Sequence, residues 1–312
     1  MIKRVLFSLL LLLIASFFIF TLLYILPGSA AEVLLGEGAN SEEVEHLKGL
    51  LSLDKGLISS YFSFLLAFLK GDFGLSYINN TPVSALVLTH LLPTLELTSL
   101  ATLSLVLVFI PLSLIAEEKK GGKKLMSLHI SLSLSLPSFL FSLFFMLLFA
   151  VILPLFPVAG YKPLALGFFT HLKYLVLPSL VLAITYSGLL MQITYTSIKD
   201  KRQESYYIFA KARGLGKNSI RIKYLLLTSL APILSSFSQS LIGLLSGAAI
   251  VETIFNIPGL GSLLVSSVLK RDYPTALAVV LLITVFSLSI SLITDLIIHS
   301  LEEKKGGCNE SW

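Results

Sequence analysis

The sequence predicts an all-α membrane protein with six transmembrane helices and both termini in the cytoplasm. Hydrophobic residues make up 55% of the 312 residues and charged residues only 13%, with a mean hydropathy of +0.89, which lies outside the range of soluble globular domains. The apolar residues gather in six runs, most of them as long as the roughly 20 residues that a bilayer requires. Sixteen basic residues fall in the segments assigned to the cytoplasm and seven in those assigned outside, as the positive-inside rule requires.

Charge and cysteine content exclude other classes. A net charge of +5 and a pI near 9.1 are compatible with nucleic-acid binding, but the basic residues flank apolar runs, where membrane orientation explains them. We therefore expect no nucleic-acid partner. The single cysteine, Cys308, lies in the polar C-terminal tail, so the sequence predicts neither an internal disulfide nor a cysteine metal cluster. We expect no metal site and no cofactor.

The first run, Val5 to Leu26, follows Lys3 and Arg4 and reaches the length of a full span. We interpret it as a retained first helix, although the small residues after Pro27 are also compatible with signal-peptide cleavage. A long external segment follows, up to residue 93. Ser41 is a candidate N-cap for a helix there. A second apolar stretch, Leu57 to Leu69, is too short to span and is expected to pack on the protein or lie in the membrane interface.

The second span is predicted from Leu92 to Ala116, with Pro93 in its first turn and Glu96 favoured there by the helix dipole. A short basic turn, Glu117 to Lys124, would return the chain into the cytoplasm.

The third span, Leu125 to Leu153, contains serines spaced by three or four residues, which predicts a stripe along one helix face. The stripe is either a wall of the translocation path or a surface for close helix packing. Its members are Ser127, Ser131, Ser135, Ser138 and Ser142.

An external loop, Pro154 to Lys173, leads to the fourth span, Tyr174 to Ser197. The chain's most basic segment, residues 199–224, then separates the fourth span from the fifth. One helix face is predicted to hold Tyr206, Phe209, Ala210 and Arg213. Gly214 followed by Leu215 has the form of a glycine C-cap, and Asn218 is a candidate cap for a second short helix. The sequence thus predicts a cytoplasmic helix, a glycine turn and another helix.

The fifth span, Tyr224 to Ile250, has a face of small and polar residues that we expect to turn away from lipid. With the serine stripe, this face is the predicted translocation path. Its members are Ser236, Gln239, Ser240, Gly243 and Gly247.

A third external loop is predicted from Val251, with a turn at Pro258-Gly259 and a short helix after it. We interpret this loop as an outer gate, with a plain structural re-entry as the alternative; its candidate residues are Glu252, Phe255, Pro258, Gly259 and Asp272. The sixth span, Thr275 to His299, ends with Asp295 and His299 one turn apart. They form either a proton relay or, as we favour, an ion pair near the headgroups.

No catalytic motif is found. Gly216-Lys217-Asn218 lacks the upstream glycine and the Ser/Thr of a phosphate-binding loop, and the sequence contains no zinc-type His-Glu-x-x-His. The chain is therefore expected not to be an enzyme, and energy for transport would come from a partner.

Ala-Lys-Ala-Arg-Gly-Leu at 210–215, with Pro232 downstream, resembles the cytoplasmic coupling loop of ABC importer permeases. Ile208 stands at the position of the family's glutamate and Phe209 at the next one, so the chain resembles the peptide and nickel branch, in which that glutamate is commonly absent. The resemblance extends to Lys70-Gly-Asp-Phe-Gly-Leu-Ser76, to Glu252-Thr-Ile-Phe-Asn-Ile-Pro-Gly259 and to Lys270-Arg-Asp-Tyr-Pro274. Family membership implies that the coupling loop docks on an ATPase; the residues concerned are Tyr206, Tyr207, Phe209, Ala210, Ala212, Arg213, Gly214, Leu215 and Lys217.

The resemblance also implies a second permease subunit, two ATPase subunits and an external substrate-binding protein, assembled in the inner membrane. Small peptides are the expected substrates, with nickel or a metal chelate as the alternative. We divide the chain into a first helix with its external segment (1–92), a five-helix core (93–301) and a cytoplasmic tail (302–312). Two rival classes are a proton-coupled carrier using Glu96, Asp295 and His299, and a membrane anchor that carries no solute.

Overall fold

The structure is a computed structural model that describes residues 2–25, 56–116 and 121–309. The helix expected after Ser41 and the first half of the basic turn after the second span lie outside these residues. Within them every regular element is helical. The α-helices are α1 Ile2–Ile25, α2 Leu57–Leu69, α3 Val83–Ser104, α4 Ile110–Ile115, α5 Gly122–Ser135, α6 Ser138–Met146, α7 Phe168–Lys201, α8 Ser205–Ala212, α9 Lys217–Ser219, α10 Leu230–Phe255, α11 Leu260–Leu269 and α12 Tyr273–Asn309. Wider π-helical turns occupy Leu105–Phe109, Leu147–Ile152 and Ile220–Leu226, and a 3-10 turn occupies Leu164–Leu166.

The all-α membrane prediction is confirmed. Four helical stretches are long and apolar enough to cross a bilayer, and they are Val83–Ile115, Phe168–Lys201, Leu230–Phe255 and Tyr273–Leu301. The pair α5 and α6 with its π turn makes a fifth if it forms one span, although it is bent by 112°. α1 has 24 residues, of which Val5–Thr21 is the apolar part that the structure describes. The count of six spans stays a prediction.

Two span boundaries differ from the prediction at the second and fifth helices. α3 begins at Val83, directly after Thr81-Pro82, so Pro93 lies inside the helix and not in its first turn. Glu96 therefore does not interact with a helix N-terminus. α10 continues to Phe255, so the third external loop begins five residues later than predicted. At the C-terminus, α12 continues as a helix past Leu301.

The chain forms two compact units. The first consists of Met1–Leu95 and Asn256–Leu288, and the second of Glu96–Phe255 and Ser289–Trp312. In the first unit the N-terminal half of α3, α11 and the first turns of α12 meet in a core whose buried members are Val83, Val87, Leu260, Ala278 and Val279. The small side chain of Ala278 keeps these helices close.

Also in the first unit, α2 packs on α1. The hydroxyl groups of Ser16 and Tyr61 lie 2.7 Å apart, and the rings of Phe17 and Tyr61 meet edge to face with centroids 5.1 Å apart. Tyr61 is buried. Of the two expectations for Leu57 to Leu69, packing on the protein is therefore the one that the structure supports.

The second unit is built around α7. In the most apolar 18-residue stretch of α7, 61% is buried, whereas the corresponding share in the other three spans is 28–39%. The helices α4, α5, α6 and α10 all pack on α7. Because α7 also leads directly into the basic segment, the central helix of this unit is connected to the part of the chain expected to bind a partner.

Candidate functional site: the coupling loop and its helices

The basic segment has the predicted helix and glycine turn. α8 ends at Ala212, and Gly214 adopts φ +72°, a left-handed conformation that glycine adopts without steric cost. The Gly214 N–H donates to the Lys211 carbonyl (3.1 Å), and the Leu215 N–H donates to the Ala210 carbonyl (3.4 Å). These two bonds form the Schellman motif that closes a helix C-terminus, so the glycine C-cap prediction is confirmed.

The residues of α8 divide between two faces. Ala210 is buried, at 3% exposed, and Tyr206 and Tyr207 are half-buried. Phe209 is 72% exposed and Ile208 58% exposed. Downstream, the remaining candidates for ATPase contact are all exposed, and they are Ala212, Arg213, Gly214, Leu215 and Lys217. A large exposed aromatic side chain beside cationic residues is typical of a surface that a partner protein covers.

The second arm of the segment differs from the prediction. Asn218 is not a cap, because the helix begins one residue earlier at Lys217 and Gly216 occupies the N-cap position. The Asn218 side-chain oxygen instead accepts a bond from the Arg221 guanidinium (3.3 Å). The backbone then widens into the π-helical turn Ile220–Leu226, which buries Ile220 and Leu225, before α10 begins.

The small face of α10 packs against α7. The ring of Tyr186 lies against Gly243 and Gly247, where an added Cβ atom would overlap it. The Ser240 hydroxyl donates to the Tyr186 carbonyl (3.0 Å), and Ser236 is fully buried. Gly243, Gly247 and Ser240 therefore contact α7, and the translocation path along this face stays a prediction. Gln239 alone among the predicted path residues of this helix is exposed.

The serine stripe is not a single helix face. Pro137 forces Leu136 into an extended conformation (φ −97°, ψ 128°), so α5 ends at Ser135 and α6 begins at Ser138. Ser138 and Ser142 are buried and Ser131 and Ser135 are exposed. The contact with α7 is made by another serine, Ser133, whose hydroxyl donates to the Ile184 carbonyl (2.7 Å) and accepts the Gly188 N–H (3.1 Å). Its position on the opposite face to Ser131 was not recognised from the sequence.

A polar clasp, consisting of Glu96, Tyr161 and His171, holds the loop between α6 and α7. The Tyr161 hydroxyl donates to Glu96 Oε2 (2.7 Å), and His171 Nε2 lies 3.7 Å from the same oxygen. His171 Nδ1 donates to the Lys162 carbonyl (2.7 Å). Burial and the bond to Glu96 raise the pKa of Tyr161 above its ordinary value, so this phenol stays a donor. No local pattern predicts this contact, because Glu96 and Tyr161 are 65 residues apart in the chain.

The candidate gate residues fall in two places. Glu252 and Phe255 are buried in the last turns of α10 and not in a loop, and the Phe255 carbonyl accepts the Gly160 N–H (2.7 Å). Pro258 and Gly259 do form the predicted turn, and Gly259 is the N-cap of α11. The short helix after the turn is therefore confirmed.

Asp272 anchors the external segment of the first unit. It is buried, and its carboxylate accepts the Ser76 hydroxyl (2.6 Å), the Tyr77 N–H (3.0 Å) and the Thr275 hydroxyl (2.8 Å). Burial and the Asp272 charge raise the pKa of Tyr77 to about 12. Asp272 thus holds the turn at 75–82 against the start of α12, a role that the sequence did not indicate.

The residues considered for metal and proton chemistry lie in different parts of the chain. Among residues 2–25, 56–116 and 121–309, no group of three or more His, Cys, Asp or Glu side chains is placed to hold a metal ion. Glu96 belongs to the polar clasp, while Asp295 and His299 lie four residues apart in the C-terminal half of α12.

The described geometry defines a class: a polytopic helical membrane protein whose packed helices α7 and α10 are joined by a basic helical segment. Residues 109–306 match the family model "Binding-protein-dependent transport system inner membrane component", and residues 1–98 match "Binding-prot-dependent transport system membrane comp, N-term". Together these matches cover nearly the whole chain, and the chain belongs to this family.

Curated relatives agree with the family assignment. The chain is 32% identical over 299 residues to the glutathione transport system permease protein GsiC of Pectobacterium atrosepticum, with 95% of each chain covered. It is 30% identical over 298 residues to GsiC of Escherichia coli, again with 95% of each covered. It is 29% identical over 281 residues to the probable peptide ABC transporter permease protein y4tP of Sinorhizobium fredii, with 89% of this chain and 90% of that protein covered.

The protein is therefore a permease subunit of an ABC importer in the inner membrane. It is a transport subunit and not an enzyme, and it works with a separate ATPase and a substrate-binding protein.

Proposed function

We propose that the chain carries small peptides, glutathione-like peptides included, into the cell by alternating access. The observation that supports this substrate class is the similarity over 95% of the chain to permeases named for glutathione, together with the similarity to a probable peptide permease. Nickel or a metal chelate is the alternative substrate. The described residues hold no metal-ligating group of three or more, which favours the peptide.

We propose that the assembly contains two permease subunits, this chain and a homologue, with two ATPase subunits on the cytoplasmic side and the binding protein outside. Both termini of this chain lie in the cytoplasm, and residues 199–224 face the ATPases. The exposed side chains of Ile208, Phe209 and Leu215 form the apolar centre of the docking surface, and Arg213 and Lys217 form its basic rim. Closure of the ATPases on ATP moves α8, and α7 and α10 follow.

The translocation path is proposed to use the polar side chains that remain exposed, namely Ser131, Ser135 and Gln239. Weak hydrogen-bonding groups suit a path that must release its cargo, because strong binding would slow exit. Pro258 and Gly259, at the turn before α11, are proposed to belong to the outer gate.

The test measures uptake of radiolabelled glutathione, a labelled dipeptide and labelled nickel in cells lacking their own copies of these systems. Cells carry the native chain, Gly214→Arg or Gly214→Asn. Arginine is strained at φ +72° and adds a bulky cation to the docking surface, so peptide uptake should be lost. Asparagine tolerates the left-handed conformation, so the Gly214→Asn variant should retain most of the peptide uptake.

Loss of nickel uptake alone in the arginine variant would move the substrate to the metal class. Full peptide uptake by the Gly214→Arg form, at equal amounts of protein in the membrane, would refute the coupling role of this loop. Uptake that continues without ATP and collapses with the proton gradient would support the secondary-carrier alternative.

A further inference from the structure

Tyr206 does not belong to the exposed face of α8. Its side chain turns back towards the protein, on the same face as the buried Ala210, whereas Ile208 and Phe209 point outward. Residues four apart share a helix face, so the helix presents one side to a partner and the other to its own chain. A residue on the inner side transmits the partner's movement and does not bind the partner.

The inner side of α8 contacts the junction before α10. The Tyr206 hydroxyl donates to Thr228 Oγ1 (3.1 Å), and its ring stacks on that of Tyr224 with centroids 6.5 Å apart and planes 26° apart. The Thr228 hydroxyl gives its own hydrogen to the Tyr224 carbonyl (2.7 Å). Since a hydroxyl has one hydrogen to donate, Thr228 acts as the acceptor for Tyr206.

This junction is where the helix geometry changes. The π-helical turn ends at Leu226, residues 227–229 form turns, and α10 begins at Leu230. A break between π and α geometry is a frequent site of bending. Ser229, buried beside it, donates weakly to the Ser197 carbonyl of α7 (3.4 Å). The contact from Tyr206 therefore reaches the change of helix geometry that precedes α10.

The covalent connection between α8 and the π turn is poorly packed by comparison. Residues 213–218 are all exposed, and an added Cβ atom at either Gly214 or Gly216 would meet no atom within 4 Å. A segment with so few contacts deforms easily, so it would absorb a displacement of α8 before passing it on.

We propose that Tyr206 is a positioning residue that joins the coupling helix to the start of α10 through Thr228 and Tyr224, and thereby converts movement of α8 into movement of the transmembrane helices. This rests on the proposed function of α8 as the ATPase-docking helix. It assigns docking to Phe209 and its exposed neighbours, and transmission to Tyr206.

The test uses the complete transporter, with its ATPase subunits and binding protein, reconstituted in liposomes, and measures labelled glutathione transported per ATP hydrolysed. Tyr206→Ala should lower this ratio several-fold while the ATPase subunits still co-purify and ATP hydrolysis continues. Tyr206→Phe keeps the stacked ring and should lower the ratio less. Thr228→Val should reproduce the Tyr206→Phe value, and the double variant Tyr206→Phe/Thr228→Val should be no worse than either, because both remove the same bond.

Thr196→Val is the matched control, since the Thr196 hydroxyl is exposed and bonds only carbonyls of its own helix; its transport per ATP should equal that of the native protein. An unchanged ratio in Tyr206→Ala would overturn the proposal, as would loss of the ATPase subunits from that variant, which would make Tyr206 a docking residue. Phe209→Ala tests the docking proposal separately. If that variant keeps its ATPase subunits as tightly as the native chain, docking by this face fails whatever the result at Tyr206.

Discussion

At Gly247 a single hydrogen atom in place of a methyl group allows α10 to approach α7. The hydroxyl oxygen and the ring of Tyr186 occupy the space that a Cβ atom would need, and the same ring covers Gly243 one turn earlier. In a bilayer, where lipid tails compete equally for apolar surface, such close contact between helices is a principal source of association. The two glycines therefore stabilise the pair of helices that the basic segment connects.

We expect Gly247→Ala to lower the stability of the detergent-solubilised protein by roughly 1–3 kcal/mol, the usual cost of overpacking a close contact. The measurement is thermal unfolding monitored by far-ultraviolet circular dichroism. Adding Tyr186→Phe should restore part of the loss, because the hydroxyl oxygen is the atom nearest to the new methyl group.

Gly216→Ala serves as the control for that variant. Its Cβ atom would meet nothing within 4 Å and its φ of −60° suits any residue, so no loss is expected. An unfolding temperature for Gly247→Ala equal to that of Gly216→Ala would contradict the packing argument.

At the scale of elements, the loop between α6 and α7 is secured at three consecutive residues. The Gly160 N–H bonds the Phe255 carbonyl, the Tyr161 hydroxyl bonds Glu96, and the Lys162 carbonyl accepts from His171. The loop is thereby attached to α10, α3 and α7 together. The C-terminal end of α7 leads to α8, the proposed docking helix, so the polar clasp holds the opposite end of α7.

Tyr161→Phe should destabilise the attachment of the loop by roughly 1.5–3 kcal/mol, the range for a hydrogen bond to a charged group. Hydrogen exchange in lipid nanodiscs should then become faster for the amides of residues 160–171. Tyr174→Phe is the matched control. The Tyr174 ring also packs near Gly160, and this variant likewise loses a phenol hydroxyl group, but one that does not belong to the polar clasp. Equal exchange in the two variants would show that the Tyr161 bond does not hold the loop.

Sequence reasoning succeeded for elements whose signal is local and failed where the deciding contact is distant. Gly214 was predicted correctly because a glycine after an apolar helical face marks a left-handed C-cap. Pro137 carried the signal for the break between α5 and α6, and the regular serine spacing around it concealed that signal. Thr81-Pro82 likewise marked the true start of α3 better than Pro93 did. The glycine face of α10 was expected to turn away from lipid. The residue that packs on it, Tyr186, could not be predicted because it lies more than 50 residues away in the chain.

At the scale of the whole molecule, the family, the helical class and the lack of catalytic motifs followed from composition and loop motifs, and the comparisons confirm the family. The π-helical turns, the polar clasp and the anchor at Asp272 could not be predicted, because each depends on tertiary contacts that leave no periodic trace in the sequence.

The single cysteine gives a direct test of orientation. With both termini in the cytoplasm, Cys308 should not react with a membrane-impermeant maleimide in intact spheroplasts and should react once the membrane is permeabilised. In a Cys308→Ser background, Asn79→Cys, which lies in an exposed turn of the external segment, should show the reverse. Labelling of Cys308 in intact spheroplasts would invert the proposed topology.

The contact between Tyr186 and the two glycines of α10 also bears on how permease subunits recognise one another. A Gly-x-x-x-Gly groove in a membrane helix is commonly a surface for dimerisation with another chain. Here the groove is already filled from within the same polypeptide. If the chain pairs with a homologous permease, as proposed, we expect pairing preference to depend on other helix faces, so chimeras that exchange α10 together with α7 should keep the preference of the parent chain.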